Sequence, residues 1–379
     1  MSKALSSKKI LMISPHSAPN VGGIETHIRL LMESLARKSY DVTLLTYQPL
    51  TTHITAPSRE EDKNTYIRRF GLLGNHVSAL LDGYPALNVL YLSPYLFIRS
   101  LFFMLKNHKN VDIIHAFGLN AGLVARILAF VFRKPIVLTT KGIHGFYRGS
   151  LPGNFIAWIL NGMDTIMLGS LDSKDDYLNL GIEQTKFKVF SHWTDKHQNS
   201  PDRKALGWEK AFTAIYVGRL IPQKGIPLII NLARTMPMVQ FKIIGDGLLR
   251  DDVINADKEL SNFSYLGVQT PDMISTFLSA ADVFIYPINY REDASIAVIE
   301  SLAHGAPVIS SYQGSGEYQL SEKVGIVTSP ELRTFTTAIK KLQNDPELLS
   351  NMSSEAKRYA SKFMHDGADQ IIQIYDDLK

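Results

Sequence analysis

Two cations stand five residues apart in Gly218-Arg219-Leu-Ile-Pro-Gln-Lys224-Gly225, directly after an apolar run and at a helix start. An arginine can fork onto two oxygens while a lysine supplies a point charge. The pair therefore suits a diphosphate and could stabilise the charge on a departing one. The plainer reading is that one or both only solvate a loop. In Glu292-Asp-Ala-Ser-Ile-Ala-Val-Ile-Glu300 two carboxylates lie eight residues apart, about two helical turns. A ligand along that helix start could set phosphates on the N–H groups and paired sugar or ribose hydroxyls on the carboxylates. Glu292 alone reads more simply as a first-turn acid favoured by the helix dipole. Glu300 sits in an apolar stretch, where an unpaired charge is costly. A third segment, Asn20-Val-Gly-Gly-Ile-Glu25-Thr-His27, has paired glycines that let a backbone approach a ligand, and it serves equally well as an ordinary tight turn.

Short β-rich runs alternating with amphipathic stretches hold these segments, the pattern of parallel sheets covered by helices on both faces. Strands are expected at 9–14, 41–46, 111–115, 135–139, 164–168 and 186–190, then at 212–217, 240–244, 263–266, 283–286 and 307–310. Each chemical segment follows a strand and opens a helix, the carboxyl edge where open α/β sheets bind ligands. The polar, Pro-containing segment 191–207 is the linker candidate, and 345–379 reads as one or two helices with no strand after them. The expected fold class is α/β, with two Rossmann-like doubly wound domains facing each other across a cleft. Residues 1–195 would form the first domain, with a helix at about 362–379 packing back on it, and residues 196–361 the second.

The 379 residues are 45% apolar and 20% charged with no Cys, which excludes a disordered chain, a disulfide framework and thiolate chemistry. Residues 1–200 hold 22 Lys and Arg against 14 Asp and Glu, the remainder 18 against 22, so the amino-terminal half favours something anionic. The start MSKALSSKKI lacks a signal-peptide core and no run of about 20 uninterrupted apolar residues spans a bilayer. A cytoplasmic location is expected. Gly245-Asp-Gly247-Leu-Leu-Arg250 lacks the third glycine of a dinucleotide fingerprint. There is no P-loop, no paired-His zinc helix and no Gly-x-Ser-x-Gly elbow.

Taken together, the Gly-Gly-Ile-Glu turn, Gly-Arg-Leu with Lys-Gly, Ile244-Gly-Asp-Gly247 and Glu-x7-Glu followed by Gly-Ala-Pro-Val-Ile resemble the retaining nucleotide-sugar glycosyltransferases of family 4, with GT-B architecture. The resemblance implies that Gly22 and Gly23 approach the donor diphosphate and sugar, and that Arg219 and Lys224 hold the diphosphate. It also implies that Glu292 addresses the donor sugar and Glu300 the ribose. Gly247, Ala294, Ser295 and Ile296 complete the donor-binding set, and His115 lies near the reacting sugar carbon unless it is a satisfied strand-end histidine.

The chain departs from the family in three places. Asp293-Ala-Ser295 replaces Gly-Phe-Gly, which puts the sugar preference in doubt; Thr139-Thr-Lys141-Gly142 replaces Thr-x-His-Gly; and His192-Trp-Thr-Asp195 replaces Asn-Gly-Val-Asp. Lys141, His144 and Arg148 are the candidate acceptor contacts, with a solvated loop edge as the alternative for Lys141. No Asp-x-Asp occurs, so no metal and no cofactor are expected beyond the nucleoside-diphosphate sugar. With no residue standing out as a covalent nucleophile, the front-face route to retention is favoured. The aromatic and basic stretch 84–148 reads either as an interfacial face on anionic lipid or as buried helices with snorkelling ends. The first reading favours a lipid-linked acceptor over a soluble carbohydrate, at the inner face of the cytoplasmic membrane, and no nucleic acid is expected as a partner. A GT-B nucleotide-sugar epimerase and a non-catalytic nucleotide-sugar binder are the alternatives.

Overall fold

The computed structural model describes residues 8–52, 54–72, 77, 81, 85–140, 146–170, 173–194, 203–209, 211–292, 295–313 and 320–378. The chain divides into two compact units: residues 1–20, 24–191 and 366–379 form one, and residues 21–23 and 192–365 the other.

In the first unit eight strands form one sheet. They are β1 (Lys9–Ile13), β2 (Asp41–Tyr47), β3 (Arg59–Asp62), β4 (Thr65–Phe70), β5 (Ile113–Phe117), β6 (Ile136–Thr140), β7 (Thr165–Leu168) and β8 (Phe187–Val189). Their order is β3-β4-β2-β1-β5-β6-β7-β8, parallel except for the β3/β4 pair. KILMI, IIHAF, IVLTT and TIML are runs without polar alternation because helices cover both faces of these strands, and almost every residue in them is buried. The chain leaves β1 toward β2 on one side and returns to β5 on the other. The switch point therefore lies at the carboxyl end of β1, where the loop to the helix Gly23–Arg37 begins.

The second unit repeats the plan with β9 (Phe212–Val217), β10 (Val239–Ile244), β11 (Phe263–Gly267), β12 (Val283–Tyr286), β13 (Val308–Ser311) and β14 (Gly325–Thr328). The order is β11-β10-β9-β12-β13-β14, all parallel, with Ala214 of β9 opposite Phe241 of β10 on one side and Val283 of β12 on the other. Its switch point falls between β9 and β12, whose carboxyl ends are Val217 and Tyr286. The expected strands are present, with ends moved by one or two residues. Three others, β3, β4 and β14, were not expected: REED and TYIRRF form a charged edge hairpin of the first sheet turned at Lys63 (φ 44°), and GIVT is a short edge of the second.

Of the terminal helices, Leu332–Gln343 and Pro346–Ala360 belong to the second unit and Ala368–Asp377 to the first. The last buries Ala368, Ile371, Ile374 and Tyr375 and receives Lys8 Nζ on the Tyr375 carbonyl at 2.7 Å.

The 84–148 stretch combines features of both expected readings. On the helix Pro85–Asn107, Val89, Leu92, Leu96, Ser100 and Met104 are buried at helical spacing, whereas Leu87, Leu90, Ile98, Phe102 and Leu105 are exposed. Phe130 and Val131, ending the adjacent helix Gly118–Phe132, are exposed as well. Among the described residues, Leu87–Asn110 is the one helix long and apolar enough, by length and composition, to cross a membrane.

Candidate functional site

Beyond the strands of the second unit, the β9 and β10 loops continue to pair. Gly218 N–H donates to the Ile244 carbonyl (3.1 Å), Leu220 N–H to Asp246 (2.9 Å) and Leu249 N–H to Leu220 (2.8 Å). This is possible because Gly245 (φ 143°) has no side chain: a Cβ there would lie 1.9 Å from the Gly218 carbonyl oxygen. The fully buried Tyr216 donates from its hydroxyl to the Arg219 carbonyl at 2.8 Å. Arg219 is thereby held at the end of β9.

Lys224 ends a 3-10 turn, Pro222–Lys224, and Gly225 follows in the left-handed region at φ 76° before the helix Ile226–Thr235. A Cβ on Gly225 would sit 2.1 Å from the Pro287 carbonyl oxygen. Asn289 N–H donates to the Gln223 carbonyl at 2.9 Å, so the turn after β9 is strapped to the loop after β12. Glu292 arrives on that loop, fixed by its N–H to the Gln313 carbonyl at 3.1 Å.

The consequence is a convergence of two residues 68 positions apart: Lys224 Nζ donates to Glu292 Oε2 at 2.8 Å, both side chains under a tenth exposed. Lys224 also donates to the Tyr286 hydroxyl at 2.5 Å, and that hydroxyl donates to the same Glu292 oxygen. Burial pushes the Lys224 pKa down and the neighbouring Arg219 adds to this, while the Glu292 charge opposes it. Burial and the Glu292 charge together raise the Tyr286 pKa well above its ordinary value. The site is therefore a nearly dry cluster of Lys224, Tyr286 and Glu292 at the β9/β12 switch point, with Arg219 near enough to bear on the lysine charge.

Ser295 and Ile296 open the next helix, Ile296–Ala303, and among the described residues no side chain caps it. Its first N–H groups have no intrahelical partner and can meet an anion. Glu300 is half-buried on this helix, with its carbonyl accepting His304 Nδ1 at 2.7 Å. Gly247 lies where a Cβ would come within 2.7 Å of the Leu220 carbonyl oxygen, at the far side of the same edge.

Two family models divide the chain between them: Glycosyltransferase Family 4 matches residues 21–198 and Glycosyl transferases group 1 matches residues 198–359. The chain belongs to the family 4 glycosyltransferases. An uncharacterized glycosyltransferase of Methanocaldococcus jannaschii is 23% identical over 98% of each chain. Among solved structures, sucrose-phosphate synthase from Thermosynechococcus elongatus aligns with a TM-score of 0.79 at 21% identity, over 97% of this chain and 98% of that one. Anabaena HepE in complex with UDP-glucose aligns with a TM-score of 0.75 at 18% identity, over 98% and 100%. The fold of this glycosyltransferase is thus GT-B.

The remaining expected residues fall in several places. Gly22 ends the loop after β1 and Gly23 opens the helix that follows it. The loop before that turn is locked by two buried side chains. Asn20 Oδ1 accepts Leu50 N–H (2.9 Å), Thr51 N–H (3.0 Å) and the Thr51 hydroxyl (3.0 Å). Arg69 reaches the Ala18 carbonyl (2.9 Å) while paired to Glu60 at 2.6 Å.

His115 has surroundings that match the second of the two readings the sequence left open for it. It is fully buried, with Nδ1 against the Tyr375 hydroxyl at 2.6 Å and Nε2 against the Thr139 hydroxyl at 2.7 Å, and burial lowers its pKa to about 3. A ring with both nitrogens engaged inside the first unit has the geometry of a satisfied core histidine, not of a group open to a sugar. Arg148 is exposed beside Gly181, and Lys141, His144 and Ala294 lie outside the described residues. Among the described residues no three His, Cys, Asp or Glu side chains are grouped to hold a metal. Reasoning from the motifs alone missed Tyr286 and Tyr216. Their signal was a tyrosine at or next to the carboxyl end of a strand, Tyr286 immediately before Pro287 and Tyr216 two residues before Gly218.

Proposed function

We propose that this glycosyltransferase moves a sugar from a nucleoside-diphosphate sugar to an acceptor, with retention of configuration and without a divalent metal. The observation that carries the reading is the buried Lys224–Glu292 pair at the switch point of the second unit, with Arg219 held at the end of the neighbouring strand β9. Arg219 and Lys224 take the diphosphate and stabilise its departure. The amides of Ser295 and Ile296 assist them, and Gly22, Gly23 and Gly247 keep backbone close enough to touch it. Glu292 addresses the donor-sugar hydroxyls and Glu300 the ribose. With no covalent nucleophile assigned, the departing phosphate oxygen takes the acceptor proton as the acceptor attacks from the same face. The HepE complex with UDP-glucose supports a nucleotide-sugar donor. The transferase relatives favour neither the epimerase nor the non-catalytic binder.

The proposed acceptor is lipid-linked, reached with the first unit resting peripherally on an anionic membrane. Residues 83–163 hold eight Lys and Arg against one acid, Asp112, and the same helices expose Leu90, Phe102, Leu105, Phe130 and Val131. Exposed apolar side chains in a segment rich in cations match an anionic bilayer surface.

Screening nucleotide sugars by thermal shift tests the donor reading, since a ligand of the folded state raises its stability by mass action. The matching donor shifts the wild type and not the Arg219→Ala/Lys224→Ala double variant; an undiminished shift in that variant refutes the assignment. For the membrane reading, reversing the charge of exposed Lys106, Lys109 and Arg133 should abolish sedimentation with anionic vesicles. Arg99 is left intact because its guanidinium stacks 4.6 Å from the Phe70 ring.

A further inference from the structure

Lys224, Tyr286 and Glu292 form a triangle in which two donors share one carboxylate oxygen, Oε2 of Glu292, and the Ser295 side chain also bonds the Tyr286 hydroxyl. The main chains beneath it are tied: Gly225 abuts the Pro287 carbonyl, and Asn289 is bonded to Gln223. Any change of partner at this site must therefore occur in the side-chain heads. The rings of Tyr286 and Tyr290 wall the ammonium, at 4.8 and 5.3 Å from Nζ. All three polar residues are under a tenth exposed, leaving little room for water to replace a lost donor.

We propose that Tyr286 is a positioning residue that shares the Glu292 carboxylate with Lys224 and so keeps the lysine charge available to a diphosphate. The proposal rests on the reading of Lys224 as a diphosphate cation. A buried carboxylate that relies more heavily on lysine would hold it more tightly, because drawing the ammonium toward a phosphate would leave more of the anion's charge uncompensated in a dry site. With the phenol already donating to that oxygen, part of the anion's requirement is met by a neutral group and the ammonium can turn outward. Burial and the Glu292 charge keep the Tyr286 proton in place, so the phenol remains a donor across the working pH range.

Inorganic pyrophosphate, with UDP, GDP and ADP alongside, serves as the probe in calorimetric titrations, and thermal unfolding monitors the fold of each variant. Tyr286→Phe keeps the ring and removes only the hydroxyl; it should weaken pyrophosphate binding by about tenfold or more. Glu292→Gln in the Tyr286→Phe background should restore the affinity toward wild type, because the anion that detains the lysine is gone. Glu292→Gln alone, which does not depend on the folding of the phenylalanine variant, should bind pyrophosphate at least as tightly as wild type. Wild-type affinity in Tyr286→Phe, no recovery in the double variant, or weaker binding in Glu292→Gln alone would each overturn the proposal. Failure of the wild type to bind any of the four probes would overturn the diphosphate reading beneath it.

Discussion

A histidine sealed inside a protein makes stability depend on pH, and His115 allows the size of that dependence to be worked out. Its pKa is about 3 in the fold against 6.5 for the ordinary side chain. Between those two values the unfolded chain binds a proton that the folded chain refuses. The stabilisation is therefore complete above the unfolded value and is lost as pH falls through it. From pH 7 to pH 5 the loss is about 2 kcal/mol, at about 1.4 kcal/mol per unit of pKa difference, or about 4–8 °C in melting temperature for a unit of this size. His115→Gln keeps a donor and an acceptor for Tyr375 and Thr139 but does not titrate. Chemical unfolding of both proteins at the two pH values should show the wild type losing about 2 kcal/mol more than the variant. Parallel losses would refute the burial argument. A collapse of kcat in His115→Gln at unchanged stability would return the residue to the reacting centre.

Two other perturbations follow from the loops. Gly225→Ala forces a Cβ against the Pro287 carbonyl at a positive φ and should cost at least about 2 kcal/mol. Thermal unfolding should register this together with weaker nucleotide binding, since Lys224 is the neighbouring residue. Asn20→Ala leaves the buried Leu50 amide and the part-buried Thr51 amide without their acceptor, a loss of about 1–3 kcal/mol for the buried group. Hydrogen exchange should become faster at those two amides and in the loop before Gly22, with the second unit unaffected.

Much of this architecture was legible because fully covered parallel strands write themselves as unbroken apolar runs: KILMI, FTAIYV and VFIY declare both their state and their two-sided burial. The hairpin of β3 and β4 was not, because at an exposed edge charged side chains such as those of REED cost little and hide the period of a strand. The site divided along similar lines. Arg219, Lys224, Glu292 and Glu300 could be named from where they stand relative to strand ends, a local property. That Lys224 and Glu292 meet, with Tyr286 between them, depends on β9 and β12 being neighbours in the sheet, which sequence spacing does not encode. His115 shows the same limit from the other side, since half of its environment comes from Tyr375, 260 residues away.

That distance also bears on the order in which the protein is made. Strands β1 to β8 leave the ribosome early, yet the hydroxyl that satisfies His115 and the apolar face of Ala368–Asp377 emerge only after the whole second unit has been synthesised. The nascent first unit must wait with that surface uncovered, a period in which a chaperone has something to hold.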